Sequence, residues 1–400
     1  MTLKKEIFGW SVYDLANTAF SALFITFFFP LLIKVYLGGN EFQIGLVSGI
    51  SMFLAGMFVP FVGALSDITG RRMKYIIFFT LICVTFTALT AYMPLYLALI
   101  FALIAMLSYH TALDVYDAKL VDISTSKNRG KISGYGVALG YVGAILSLGM
   151  AYAILSIYGW NSLAGIKAIF PATALFFLSF SLITFTLVKD RTKKNGTSLG
   201  KNLKKAFLQI KDTIKKLPRY EGVLPFLIAS FLYTDGMNTV ILFLYLYARE
   251  QIKLPLINFL YFYALFALAA IIGSLIFGKI SDRIKPKKTL MLLLIIWAFI
   301  ILLLIRVSNL ATFIIAGCMG GVALGAVWTV TRPMLVKLSP KNKIAQLFGF
   351  QGMTEKFSGV LGPIIFGFIV VRASYQAALI VLLSFFALGF IFLMFVPNKS

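Results

Sequence analysis

Long apolar stretches, each closed by a few polar or charged residues, recur along the whole chain. They predict helices near 8–36, 43–65, 73–93, 95–120, 130–156 and 165–188, and again near 222–248, 257–279, 287–306, 308–336, 345–371 and 375–396. At 1.5 Å per residue each is long enough to cross a hydrocarbon layer of about 30 Å. The expected fold is an all-α membrane protein with twelve transmembrane helices in two six-helix bundles. These span 1–188 and 222–400, with a basic linker at 189–221. The first apolar run is too long for a cleavable signal peptide, and it carries Asp14 and Asn17.

Composition narrows the class. Sixty per cent of residues are hydrophobic, 13% are charged, and the mean hydropathy is +0.93, which excludes an ordinary soluble domain. The net charge of +23 suggests nucleic acid until the charges are placed. They fall in short clusters between apolar spans, where Lys and Arg set topology and meet anionic lipid, so nucleic acid is not an expected partner. One side of the membrane receives Lys4 and Lys5, Arg71, Arg72 and Lys74, Lys127, Arg129 and Lys131, and Lys285, Lys287 and Lys288. The other side has singletons such as Lys34, Lys167, Lys253 and Arg372. This bias places both termini in the cytoplasm. Residues 189–219 hold eleven Lys or Arg against Asp190 and Asp212, with apolar residues at helical spacing from Leu199 to Ile214. They read as a basic amphipathic linker on an anionic leaflet, or as a regulatory segment. Cys83 and Cys318 fall inside spans and read as small buried hydrophobes.

The chain also repeats itself, which identifies a duplicated architecture. Gly63-Ala64-Leu65-Ser66-Asp67-Ile68-Thr69-Gly70-Arg71-Arg72 lies between two apolar spans, and Gly278-Lys279-Ile280-Ser281-Asp282-Arg283-Ile284-Lys285-Pro286-Lys287 follows 215 positions later. Gly134-Tyr135 matches Gly349-Phe350 at the same offset, and Asp14-x-x-Asn17 matches Asp235-x-x-Asn238 at an offset of 221. The decapeptide resembles the G-x-L-x-D-x-x-G-R-R loop of the major facilitator superfamily. The first copy is complete; the second has Lys285 and Pro286 in place of the later Gly and the first Arg. The resemblance implies two parallel repeats with substrate bound between them near mid-membrane. It further implies that helices 1, 4, 7 and 10 line the cavity and that helices 2, 5, 8 and 11 form the contact between halves. It assigns gating to Gly63, Asp67, Gly70, Arg71 and Arg72, with Asp282 and Arg283 in the second copy. A purely topological role for the arginines fits equally. Asp67 is expected to cap a neighbouring helix, and the arginines to pair with acids such as Asp122.

Ionisable residues inside spans are costly and mark functional candidates. Tyr13, Asp14 and Asn17 lie in helix 1, and His110, Asp114 and Asp117 in helix 4. Asp235 and Asn238 lie in helix 7, Arg332 in helix 10, and Glu355 and Lys356 in helix 11. His110, Asp114 and Asp117 are spaced i, i+4, i+7 and share one helix face, as a proton relay or as an internal hydrogen bond with gating salt bridges. Arg332 is equivalent to Asp117 under the 215-residue offset. It either pairs with Asp117 or Asp14 in one state of the cycle or snorkels from a helix end. Glu355 is expected roughly 15 Å along helix 11, as a substrate contact, a proton carrier or a structural ion pair. Glycines crowd helix 5 (Gly134, Gly136, Gly140, Gly143) and helix 11 (Gly349, Gly352, Gly359, Gly362, Gly367), where they permit close packing. Gly359 to Pro363 reads as a hinge or as ordinary tight packing.

A closer resemblance rests on Trp10-Ser11-Val12-Tyr13-Asp14-Leu15-Ala16-Asn17-Thr18-Ala19-Phe20, on Tyr116-Asp117, and on Ser133 to Tyr141. These are similar to the autophagy-related vacuolar effluxer family and its prokaryotic relatives, whose opening pattern is W-x-x-Y-D-x-A-N-S-A-F. The resemblance implies a small amphipathic substrate such as a neutral amino acid. The expectation is therefore a monomeric secondary transporter working by alternating access and coupled to protons, in the cell membrane if the source is prokaryotic. Substrate-contact candidates are Tyr13, Asp14, Asn17, Asp235, Asn238 and Glu355; proton-coupling candidates are His110, Asp114 and Glu355. Efflux of a drug or lipid-like compound is the alternative transport reading, and a membrane sensor or scaffold the alternative of another class. No nucleotide-binding loop, metal-ligand cluster or nucleophile constellation accompanies His110-x-x-x-Asp114, so neither an enzyme, a cofactor nor a metal is expected.

Overall fold

A computed structural model describes residues 2–69, 71–124, 129–190, 220–339 and 344–397. Among them, twelve helices are long and apolar enough to cross a membrane. The first, α1, starts as Thr2–Ala19 and continues through Phe20–Phe28, Phe29–Leu31 and Leu32–Tyr36. Then follow α2 (Glu41–Thr69), α3 (Arg72–Thr90), α4 (Leu95–Ile123), α5 (Arg129–Tyr158) and α6 (Leu163–Leu187). The later helices are α7 (Val223–Ile252), α8 (Leu256–Ile284), α9 (Pro286–Ile305), α10 (Leu310–Leu338), α11 in two pieces (Ile344–Phe357 and Leu361–Arg372) and α12 (Tyr375–Met394). Outward faces keep large apolar side chains such as Leu175, Leu275 and Ile380 exposed. A surface of that kind suits lipid, not water.

Three details depart from the expected helices. The repeated decapeptide is not mainly loop: α2 runs on to Thr69 and α8 to Ile284, so its Gly-to-Asp portion is helical. Twenty-nine residues make α2 roughly 43 Å long, so it outruns the hydrocarbon. The second departure is in α1, where Phe20–Phe28 and Leu32–Tyr36 are wide π turns. Pro30 between them has no N–H to donate, and Thr26 Oγ1 reaches back five residues to the Ser21 carbonyl. The third is in α11, expected to run unbroken over 345–371 but interrupted by turns at Ser358–Val360. Pro363 cannot continue the ladder, yet sits without penalty in the first turn of a new helix.

The chain divides into two compact units. One holds residues up to Gly39 and from Ile50 through α6. The other holds Asn40–Gly49 and α7–α12. Glycine-mediated contact organises both. In the first, a methyl group on Gly140 would lie 3.0 Å from Thr18 Oγ1, and one on Gly143 would run into the Leu15 carbonyl, so α1 and α5 touch backbone to backbone. In the second, Gly321 and Gly325 of α10 bring its backbone against the Phe266 and Ala270 carbonyls of α8. There too, Gly45 abuts the Pro363 carbonyl, and Glu41, 1% exposed, accepts a 2.7 Å hydrogen bond from the Tyr375 hydroxyl. The sequence reading passed over that buried carboxyl.

Candidate functional site

The residues that carry the family-like signature converge in the first unit. Trp10 stacks on Tyr116 of α4 with ring centroids 4.6 Å apart, and its Nε1 donates to the Tyr116 carbonyl oxygen at 3.1 Å. One turn on, the Tyr13 hydroxyl shares a 2.7 Å hydrogen bond with Thr80 Oγ1 of α3. Tyr13 is 1% exposed and so faces the bundle interior. Asp14 is half-buried beside this aromatic wall. Asn17 Nδ2 donates to Asp14 Oδ1 at 3.2 Å, and Thr18 Oγ1 donates to the Asp14 main-chain oxygen at 2.7 Å. Gly136 of α5 packs directly on Asp14 Oδ2 and the Trp10 ring; a Cβ there would overlap the carboxylate. The result is a fixed, partly open carboxylate in an apolar and aromatic setting. Such a group can receive a cationic or hydrogen-bond-donating solute group.

Asp235, its partner under the repeat, is placed differently. It is 0% exposed, and Oδ2 accepts the Gly362 N–H of α11 at 2.8 Å. Asn238 is half-buried one turn on. A second polar contact joins α7 and α11: Gln351 Nε2 donates to Ser230 Oγ at 2.6 Å and to Glu355 Oε1 at 3.2 Å. Glu355 is thus held on the first piece of α11, half-buried. Neither Ser230 nor Gln351 stood out from the sequence, because a neutral polar residue within an apolar run carries no partner information.

His110 and Asp114 are half-buried on α4, and Asp117 is exposed. His110 lies edge-on to Tyr109 with ring centroids 5.0 Å apart. Arg332, Asp282, Arg283 and Arg71 are exposed. Gly63 and Asp67 belong to α2, but their side chains fall outside the described residues, as does Gly70 altogether. The linker from 191 to 219 is likewise outside the described residues.

Arg72 meets Asp122 Oδ1 at 2.6 Å, the kind of pairing expected from the sequence. It belongs to a larger cluster. Lys119 of α4 is 1% exposed, and its Nζ reaches Asp122 Oδ2 at 3.3 Å, Asp190 Oδ1 at 3.2 Å and the Lys189 carbonyl at 2.9 Å. Asp190 Oδ1 also accepts the Met73 N–H at 2.9 Å, capping the N-terminus of α3. The sequence reading missed Lys119 and Asp190. Lys119 looks like any basic residue near a helix end, and two of its partners, Lys189 and Asp190, come from about 70 positions away.

Known proteins agree with this architecture. The family model described as "Vacuole effluxer Atg22 like" matches residues 117–400. An MFS-type transporter of Bacillus subtilis, YxiO, is 25% identical over 99% of this chain and 96% of its own length. Autophagy-related protein 22 of Kluyveromyces lactis is 24% identical over 62% of this chain and 53% of its own. Among solved structures, the nucleoside transporter NupG superposes with a TM-score of 0.77 at 15% identity, covering 98% of this chain and all of its own. A bacterial homolog of the human lysosomal transporter Spinster superposes with a TM-score of 0.74 at 13% identity, covering 100% and 98%. With a family match over most of its length and the fold of these transporters throughout, the chain belongs to the vacuole effluxer Atg22-like family and is a transporter of the major facilitator type.

Proposed function

We propose that this protein moves a small amphipathic solute, a neutral amino acid in first instance, across a membrane by alternating access driven by a proton gradient. Asp14 receives the solute's ammonium group, with Asn17 orienting the carboxyl and the Trp10–Tyr116 wall excluding water from one side. The observation that supports this most is the fixed, half-buried Asp14 carboxyl, with Asn17 on one oxygen and the Gly136 backbone against the other. A carboxylate in a low-dielectric setting attracts a cation more strongly than one in water. In the same proposal the two bundles, 1–188 and 222–400, are tethered by the basic linker at 189–221. Both termini lie in the cytoplasm by the Lys and Arg bias, and the transporter works as a monomer, in the cell membrane if the source is prokaryotic. His110 and Asp114, half-buried on α4, are the first candidates for the coupling proton, and Glu355 is the next. Arg71, Arg72, Asp117, Asp282, Arg283 and Arg332 belong to gating. Uptake of labelled amino acids by proteoliposomes, with and without a pH gradient and with Asp14→Asn alongside, tests the reading.

A further inference from the structure

We propose that the break in α11 and the Asp235 carboxyl of α7 form a proton-binding site, with the proton carried on Asp235 Oδ1. Asp235 is fully enclosed, and its two oxygens have different surroundings. Oδ2 accepts the Gly362 N–H at 2.8 Å, where the second piece of α11 presents the free N–H groups of its first turn. Oδ1 is buried with no hydrogen-bond partner among the described residues. On the same glycine packs Thr239 Oγ1, itself 0% exposed, which donates to the Asp235 main-chain oxygen at 2.7 Å and retains lone pairs. A methyl group on Gly362 would collide with Thr239 Oγ1 and sit 2.7 Å from Asp235 Oδ1, so the two oxygens bracket the same glycine.

A charged carboxylate with one donor in a dry interior is costly; in the proposal the carboxylic acid turns its O–H toward Thr239 Oγ1, which lies over the same glycine. Titratable or charged groups on the surrounding elements are Tyr233, Tyr245, Tyr247, Arg249 and Glu250 on α7, Cys318, Arg332 and Lys337 on α10, Glu355, Lys356 and Arg372 on α11, and Tyr375 on α12 with Glu41 beside it. Tyr233 is bonded to Thr331, and Glu355 to Gln351. None of them is a hydrogen-bond or ion-pair partner of Asp235. The proton comes from water: hydronium gives up H⁺ to the carboxylate, leaving water and the neutral acid. Release requires water to reach Oδ1, and the interrupted stretch at Ser358–Val360 is where α11 can part from α7. Coupling of that release to transport rests on the transporter reading; the existence of the site does not.

The test uses the full chain in liposomes and infrared difference spectroscopy, with no solute present. The wild type is expected to show a protonated carboxylic-acid C=O band at neutral pH that Asp235→Asn removes. Thr239→Val is expected to move the band to higher frequency, because the acid's O–H loses its acceptor. This second variant decides the matter if Asp235→Asn does not fold. A band that survives unchanged in Asp235→Asn, or no shift in Thr239→Val, overturns the proposal. So does disappearance of the wild-type band on adding sodium at constant pH, which would make this an alkali-cation site. Because the readout is spectroscopic, a failure to transport amino acids leaves it untouched.

Discussion

The Trp10 indole stacks on the Tyr116 ring, 9° from parallel, and donates its N–H to the carbonyl of that same residue. A stacked pair and a hydrogen bond thus join α1 to α4 at the foot of Asp14. Trp10→Ala removes both and is expected to cost about 3–5 kcal/mol. Trp10→Phe keeps a ring but loses the N–H, at about 1 kcal/mol. Thermal unfolding in detergent should rank wild type above Trp10→Phe above Trp10→Ala. Equal melting points for the two variants would mean the stack contributes nothing.

Close approach of α1 and α5 at Gly143 sets a second expectation. Gly143→Val drives a branched side chain into the Leu15 carbonyl, so the helices must separate. Overpacking of this kind costs about 1–3 kcal/mol or more. Gly149 meets nothing within 4 Å, so Gly149→Ala serves as the tolerated comparison. Yield and melting temperature of the two variants check the contrast.

The Arg72, Lys119, Asp122 and Asp190 cluster is a third case. Lys119→Met leaves Asp190, half-buried beside the start of α3, without its buried cation. Breaking a fully buried ion pair from one side costs about 3–5 kcal/mol, and with the carboxylate partly exposed the loss here is expected to be smaller, about 1–3 kcal/mol. Lys119→Met with Asp190→Asn should recover part of that loss in a double-mutant cycle measured by unfolding. Strict additivity would show that the two side chains do not act together.

Lys285 offers a gain. It occupies the position of the motif glycine and has φ +73° with ψ 148°, a region that suits glycine. Lys285→Gly is expected to raise stability by about 1 kcal/mol, the relief of strain exceeding the entropy added to the unfolded chain. A lower melting temperature would contradict it.

The twelve spans were legible because a bilayer imposes length and hydropathy on each segment separately. Close packing of α5 was foreshadowed by the spacing of Gly136, Gly140 and Gly143, since small residues at helical intervals have few other uses in lipid, but the glycines did not name α1 as the helix they meet. The break in α11 was not legible: Gly359 to Pro363 serves equally as a hinge, a packing stripe or a true interruption. Only the position of Asp235 on another helix, with its carboxylate taking the Gly362 N–H, distinguishes them. Lys119 shows the same limit, because its burial is a property of Lys189 and Asp190 as much as of its own surroundings. Asp14 and Asp235 look identical in the repeat, yet one is half-buried and the other enclosed. Internal symmetry in sequence does not carry over to accessibility.

Accumulation of labelled neutral amino acids in proteoliposomes under an imposed pH gradient tests the central claim most directly. The prediction is saturable uptake that rises above equilibration only when the gradient is present, and that falls at least tenfold in Asp14→Asn, the loss of about 1.4 kcal/mol of binding or more. Uptake indifferent to both the gradient and Asp14, or no uptake by folded protein, would contradict it.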